Sequence, residues 1–173
     1  MITINQLTQS LRCPIARAEK WVDCINAAMF QFDINTPLRE AHFLAQIGHE
    51  SGRLIYTHEI ASGSDYEGRK DLGNTEVGDG RRFKGRGLIQ VTGRTNYKSC
   101  GDALGIDFIN SPELLEVPQN AALSAAWFWS IRKLNELADA DNLIAITKKI
   151  NGGLNGLDDR KLLLDSSKLA LGI

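Results

Sequence analysis

Eleven of the 16 glycines in this 173-residue chain lie between residues 52 and 105, and this uneven distribution constrains the fold more than any other feature. Glycine weakens helices and permits backbone conformations that other residues avoid, so a glycine-dense stretch favours turns and loops. We therefore predict a glycine-rich, cleft-forming segment over about residues 52–105. The flanks, about 1–51 and 111–173, have few glycines and are expected to be helical.

Helix signals in both flanks support this division. Thr3 and Gln6 have the spacing of a capping box, and Thr36–Pro37 is typical of an N-cap followed by a first-turn proline. The third helix should run to about Ser51, with Gly52 in the left-handed position after it. We also predict a long helix from Pro118 that includes Leu137, a helix capped by Asp141, helices at about 96–104 and 158–169, and short strands at about 54–59 and 88–91.

These elements predict a mainly α (α+β) protein with two helical lobes, a small irregular β element and a central cleft. At this length one chain can bury a sizeable core without disulfides or metals. We expect a single catalytic domain over residues 1–173.

Composition excludes several classes of function. The chain has 20 basic and 21 acidic residues, whereas nucleic-acid-binding domains usually carry a basic excess. No apolar run approaches the roughly 18 residues that span a bilayer, and the first residues lack the pattern of a signal peptide. Three cysteines without CxxC spacing favour reduced thiols. We expect no nucleic-acid partner and no stable membrane insertion.

Glu50 ends the third predicted helix on the same face as two apolar residues, Phe43 and Ile47. A helix repeats its face every 3.6 residues, so this spacing predicts a partly desolvated carboxyl group. Desolvation favours the neutral acid, which is the form that a general acid needs. The alternative is an ordinary exposed residue at a helix end.

Glu59 follows nine residues later in an irregular segment. If this segment folds back beside the helix end, the two carboxyl groups can face one another across a cleft. Two carboxyl groups in different environments are the minimum for hydrolysis of a glycosidic bond. In a chain with 21 acidic residues, a chance pair remains an alternative.

Other catalytic chemistries fit less well. His49–Glu50 begins like a zinc-protease motif, but Arg53 occupies the place of the second histidine. His42 and His49 are two helical turns apart, about 10.5 Å, which is too far for two ligands of one ion. We expect no metal site and no cofactor. Adjacent aromatic residues at 127–129 point in different directions on a helix, so they are expected to pack in the core rather than to form a sugar platform.

Four separated motifs carry a specific resemblance. The runs AHFLAQIGHESG, FKGRGLIQVTGRTNY, AAWFW and ITKKINGG occur in order between about residues 36 and 160. Together they resemble glycoside hydrolase family 19, the chitinase-type family with a lysozyme-like fold. The segment between Glu59 and Gly87 most resembles the bacteriophage endolysin branch of that family.

The resemblance implies roles for individual residues. Glu50 would be the general acid, Glu59 the general base, and Thr92 a hydroxyl that helps to hold the attacking water. In the plant chitinases the second glutamate lies further along the chain, so Glu67 remains a rival for the base. The implied substrate-binding residues are Gln90, Asn96, Tyr97, Asn151 and Arg160, and the arginine is expected near the base.

The predicted function is hydrolysis of β-1,4 bonds in the glycan strands of peptidoglycan by an inverting, two-carboxylate mechanism, as in a phage endolysin. A chitinase is the first alternative, a lytic transglycosylase is another, and a non-catalytic cell-wall-binding protein comes from a different class. Without a signal peptide, the protein is expected to be made in the bacterial host cytoplasm and released by a separate membrane-permeabilising factor. We expect it to act as a monomer on peptidoglycan or chitin.

Overall fold

The computed structural model describes all 173 residues and contains nine α-helices. Helices account for 63% of the residues and strands for 2%, which confirms the mainly α class. Three short 3₁₀ helices cover Ser64–Tyr66, Lys70–Leu72 and Pro112–Glu116. The α-helices are α1 (Ile4–Leu11), α2 (Ile15–Gln31), α3 (Pro37–Glu50), α4 (Asp79–Arg82), α5 (Arg94–Leu104), α6 (Pro118–Ile131), α7 (Leu134–Asp139), α8 (Leu143–Asn151) and α9 (Leu157–Leu171).

The signals that begin and end the first helices act as predicted. Thr3 and Gln6 form a reciprocal capping box at the start of α1. The Thr36 side chain accepts a hydrogen bond from the Arg39 backbone at the start of α3, and Gly52 adopts a left-handed φ of 58° just beyond its end. These contacts fix the position of Glu50 as the last residue of α3.

Two helix predictions in the second flank are wrong in detail. The long helix after Pro118 breaks at Lys133, whose left-handed φ of 55° starts a separate helix, so Leu137 belongs to α7. The cap of α8 is Asn142, whose side chain accepts from the Ala145 backbone. Asp141 instead binds His42 and Lys168.

The two predicted strands are also wrong. Leu54 has a left-handed φ of 65° in a turn after α3, which a strand cannot accommodate. Only isolated bridges form in the glycine-rich segment: His58 pairs with Arg86, and Arg86 pairs with Val91. The segment therefore consists of loops and short helices with a minimal β contact.

Helix α3 lies at the centre of the packing. It packs most extensively on α9, and α1 and α7 also contact it. On α6, the ring of Trp129 meets Phe43 of α3 edge to face, with 5.5 Å between ring centroids. A cluster of 32 buried apolar residues draws on both flanks and on the middle segment. The end of α3 is therefore held by the core rather than by surface contacts.

None of the helices combines the length and the apolar character that crossing a bilayer requires.

Candidate functional site

Glu50 lies at the end of α3 against a buried arginine of α9. Its carboxylate Oε1 accepts a hydrogen bond from Arg160 Nη2, and Arg160 Nη1 donates to Gln46 Oε1. The Arg160 side chain is 0% exposed and the Glu50 side chain 19% exposed. No hydrogen bond of the structure uses Glu50 Oε2. One carboxylate oxygen is thus fixed by the protein, and the other is free for a ligand.

This ion pair changes the argument made from the sequence. Burial was expected to act alone on Glu50 and to favour the neutral acid. The Arg160 guanidinium adds an opposite charge beside the Glu50 carboxylate, which the spacing on α3 did not predict. Arg160 was expected near the base and in contact with substrate, and the expected direct contact with substrate is wrong. It is fully buried and supports the proposed acid instead.

A second ion-pair network lies directly beside this pair. Asp159 accepts hydrogen bonds from His49 Nδ1, at 2.7 Å, and from Arg53. Burial tends to raise the pKa of Asp159, but these two hydrogen bonds outweigh it and lower the pKa below its ordinary value. The hydrogen bonds of Asp159 therefore connect the start of α9 to the end of α3 and to the turn that follows it. Gly156 packs so closely on the His49 ring that an added Cβ would lie 2.2 Å from His49 Cε1.

Glu59 is positioned by the bridged loops of the glycine-rich segment. The Glu59 backbone N–H donates to the Gly85 carbonyl at 2.9 Å, and the Gly87 N–H donates to the Thr57 carbonyl at 2.8 Å. The segment that carries Glu59 therefore runs beside residues 85–87. The sequence predicted a fold-back after α3, and these hydrogen bonds place Glu59 next to the loop that leads to Gln90 and Thr92.

The Glu59 carboxylate has an environment different from that of Glu50. Tyr66 donates its hydroxyl to Glu59 Oε2 at 3.0 Å, and burial together with this carboxylate raises the pKa of Tyr66. Glu59 Oε1 is buried and has no hydrogen-bond partner. Gly85 leaves room for the carboxylate, because a Cβ there would lie 3.0 Å from Glu59 Oε2 and 2.9 Å from Gln90 Oε1. No cation pairs with Glu59.

Glu67, the rival base, is engaged elsewhere. Its two carboxylate oxygens accept the backbone N–H groups of Gly78 and Gly80, at 2.7 and 2.8 Å. It thus holds the loop that leads into α4. Arg69, a basic neighbour of Glu67 in the sequence, pairs with Asp71 instead. A structural role accounts for both oxygens of Glu67.

Three predicted site residues, Gln90, Thr92 and Asn96, line one small pocket. Its volume is about 130 Å³, and Trp127, Phe128 and Arg132 of α6 and its C-terminal end form its other side. The Thr92 hydroxyl donates to the Gln90 carbonyl at 2.9 Å, and the Asn96 amide donates to the Thr92 carbonyl at 2.7 Å. Gln90 connects this pocket to Glu59, since both side chains flank Gly85.

The remaining two predicted substrate-binding residues, Tyr97 and Asn151, have different environments. Tyr97 is fully buried: its hydroxyl donates to the Lys84 carbonyl and accepts from Arg86, and its ring packs on Phe83. Direct contact with substrate is therefore a wrong expectation for Tyr97, which supports the loop behind Glu59. Asn151 is exposed at the end of α8, which Gly152 terminates in a left-handed conformation. Its role stays a prediction.

The sequence reasoning missed four residues that shape these two carboxylates: Gln46, Asp159, Tyr66 and Gly85. Gln46 precedes Glu50 by one helical turn, so helix periodicity could have identified it. Tyr66 and Gly85 lie in the glycine-rich segment, and Asp159 is 110 residues from His49 in the sequence, so no spacing rule links these three to a carboxylate.

Comparison with known proteins supports the resemblance. The family model described as chitinase class I matches residues 26–155. The chain belongs to glycoside hydrolase family 19. A Haemophilus influenzae protein described as containing a glycosyl hydrolase family 19 domain is 35% identical over 157 residues, which covers 71% of this chain and 75% of that protein. The predicted enzyme class, a glycoside hydrolase, is thereby confirmed.

Plant relatives share a smaller part of their length with this chain. An Arabidopsis thaliana endochitinase is 37% identical over 114 residues, which covers 65% of this chain but only 38% of that enzyme. The fold is shared over almost the whole chain. The structure of chitinase C from Streptomyces griseus matches 99% of this chain with a TM-score of 0.79 at 24% identity, and 76% of that structure is covered. A class IV chitinase from Zea mays matches the whole chain with a TM-score of 0.68 at 19% identity, and 83% of that structure is covered.

Proposed function

We propose that this protein hydrolyses β-1,4 bonds in the glycan strands of peptidoglycan, with Glu50 as general acid and Glu59 as general base. One observation carries the proposal: the two carboxylates have contrasting environments, and each keeps one oxygen free of protein partners. Glu50 is paired with a buried cation, whereas Glu59 is held only by a phenol. Pairs of carboxyl groups with different environments are suited to separate acid and base roles, and the resemblance of the motif around Glu50 to family 19 supports the acid role for Glu50.

In the proposed reaction, Glu50 delivers a proton from Oε2 to the glycosidic oxygen as the bond to the anomeric carbon breaks. Arg160 and Gln46 hold the acid in place through Oε1 and stabilise the carboxylate that remains after proton transfer. Because Arg160 is buried, this support is fixed before substrate arrives.

Glu59 removes a proton from a water molecule that attacks the anomeric carbon from the opposite face. Its buried Oε1 is the oxygen available to accept that proton, while Tyr66 holds Oε2. Thr92 belongs to the adjacent loop and helps to orient the water. A water that attacks opposite the leaving group inverts the anomeric carbon, so a single displacement completes the reaction.

The choice of peptidoglycan rests on the resemblance of the segment between Glu59 and Gly87 to phage endolysins. A chitinase is the second candidate, favoured by relatives that are named endochitinases. We further propose synthesis in a bacterial host and access to the cell wall through a separate membrane-permeabilising factor.

Product analysis distinguishes these candidates. Purified peptidoglycan and chitin oligomers are each incubated with the enzyme, and the products are identified by mass spectrometry. The proposal expects muropeptides with ordinary reducing ends. Products from chitin alone would identify a chitinase, anhydro-sugar ends would identify a lytic transglycosylase, and no products from either substrate would favour a wall-binding protein.

The assignment of the base has its own test. We expect Glu59→Gln to reduce turnover by about 10²–10⁴-fold, the usual contribution of a positioned base. Glu67→Gln is the matched control: it should keep most of the activity, because Glu67 binds backbone N–H groups away from the Glu59 carboxylate. A turbidity assay on cell walls measures both, and the reverse pattern would move the base to Glu67.

A further inference from the structure

Arg132, at the C-terminal end of α6, is a partly buried cation without a counter-charge. Its guanidinium carbon lies 3.4 Å from the centroid of the Phe128 ring. None of the hydrogen bonds or ion pairs in the structure uses the guanidinium group, and burial lowers the pKa of Arg132. This side chain is thus desolvated on one face and keeps its N–H donors free.

Three other shielded arginines of this protein are paired with carboxylates, and a fourth, Arg17, donates to the Arg53 backbone carbonyl. Arg86 pairs with Glu116, Arg94 with Asp79, and Arg160 with Glu50. A shielded charge without a partner costs free energy, so such a group usually has a functional reason. Arg132 therefore has the properties of a binding site for an anion that the protein itself does not supply.

The location of Arg132 indicates which molecule would carry that anion. Arg132 lines the pocket of about 130 Å³ together with Gln90, Thr92 and Asn96. The Gln90 and Glu59 side chains both approach the same side of Gly85. A glycan that reaches Glu59 would therefore pass close to a cation whose donor groups are unoccupied.

We propose that Arg132 binds a carboxylate carried by the substrate and thereby selects acidic glycans over neutral ones. Guanidinium groups bind carboxylates in a planar, two-point geometry. Chitin has no carboxylate. The muramic acid of peptidoglycan carries a lactyl group, which is a free carboxylate in peptide-free strands and bears a peptide with its own carboxylates in intact strands. This inference rests on the proposed function and names the feature of peptidoglycan that the site recognises.

The test compares charged and neutral substrates with wild-type enzyme, Arg132→Gln and Arg132→Lys. The substrates are intact peptidoglycan, peptide-free glycan strands, and peptidoglycan whose carboxylates have been amidated. Lys20→Gln, which removes an exposed cation of α2 outside the pocket, is the matched control for loss of one positive charge. Melting temperatures establish that each variant is folded.

We expect Arg132→Gln to lower kcat/KM on a carboxylate-bearing substrate by about tenfold or more, as loss of a charge-assisted hydrogen bond does. It should have little effect on amidated peptidoglycan, which wild-type enzyme should already cleave more slowly. Arg132→Lys should retain part of the preference. A loss confined to peptide-free strands would identify the lactyl carboxylate, and a loss confined to intact strands would identify the peptide.

Equal losses on charged and amidated substrates would overturn the proposal, because Arg132 would then contribute without recognising charge. The activity of the wild-type enzyme alone tests the proposed function, whereas the comparison with the variants tests this inference. If wild-type enzyme cleaved chitin oligomers and no peptidoglycan preparation, the proposed function and this inference would both fail. If wild-type enzyme cleaved peptidoglycan while Arg132→Gln behaved like Lys20→Gln, only this inference would fail.

Discussion

The ion pair between Glu50 and Arg160 should couple stability to catalysis in a measurable way. Exposed ion pairs contribute about 0.2–1 kcal/mol, whereas removing one partner of a fully buried pair costs about 3–5 kcal/mol. Arg160 is 0% exposed, but the Glu50 side chain is 19% exposed and solvent screens it in part. We therefore expect a coupling free energy between the two side chains of about 2 kcal/mol.

A double-mutant cycle isolates this coupling. The variants are Glu50→Gln, Arg160→Met and the combination, and urea unfolding gives the free energy of unfolding of each. Each single variant leaves a poorly satisfied group in or near the core. The double variant removes both charges, so it should be more stable than the sum of the single effects predicts.

Activity should follow a different pattern from stability in the same variants. Glu50→Gln should lose about 10²–10⁴-fold in turnover, and the double variant should remain equally inactive although its stability is partly restored. Lys98 and Asp102, exposed neighbours on α5, provide the control cycle, with a coupling close to zero. Additive effects on stability at Glu50 and Arg160 would refute the argument that this pair is desolvated and energetically linked.

Two further predictions concern the base and the core. Gly85→Ala should lower kcat by about tenfold with little loss of stability, because its Cβ at 2.9–3.0 Å would force the Glu59 and Gln90 side chains to shift from their positions. Steady-state kinetics and thermal melting measure the two effects. Burial lowers the pKa of His42 despite its hydrogen bond to Asp141. As pH decreases, His42 therefore takes up its proton at a higher pH in the unfolded chain than in the folded protein. Stability should be fully present above about pH 6.5 and fall as pH decreases below it, by at most about 1.4 kcal/mol per pH unit for this group, and His42→Asn should flatten that slope in urea unfolding.

A matched variant controls the kinetic measurement. Gly153→Ala adds a methyl group in open space, with only Asn151 Oδ1 within 4 Å, and should leave kcat nearly unchanged. Unchanged kcat in Gly85→Ala would argue against a precisely positioned Glu59, and an unchanged slope in His42→Asn would contradict the role of His42 burial.

Local signals predicted the boundaries of α1 and α3 well, because helix caps depend on residues within one turn of each other. The Thr36 cap and Gly52 fixed α3 to within a residue, and therefore the position of Glu50. Break points depend on single backbone conformations that residue type does not encode. Lys133 adopts a left-handed conformation without being glycine, and the helix prediction over Leu137 failed there.

The electrostatic surroundings of the candidate site could not be predicted in the same way. Arg160 reaches Glu50 across 110 residues of sequence, and only the packing of α9 on α3 brings them together. Helical spacing indicated that Glu50 lies near the core, but it contains no information about a cation on another helix. For Glu59, the sequence predicted a fold-back, whereas its partner Tyr66 ends a 3₁₀ helix of only three residues, which is too short for a periodic pattern to predict.

The anomeric configuration of the first products tests the two-carboxylate mechanism most directly. Proton NMR of wild-type reactions on glycan strands, recorded before mutarotation, reports which anomer forms first. If Glu59 activates a water on the face opposite Glu50, the new reducing end appears as the α-anomer from a β-linked strand. An initial β-anomer would mean retention of configuration and would contradict the roles assigned to Glu50 and Glu59.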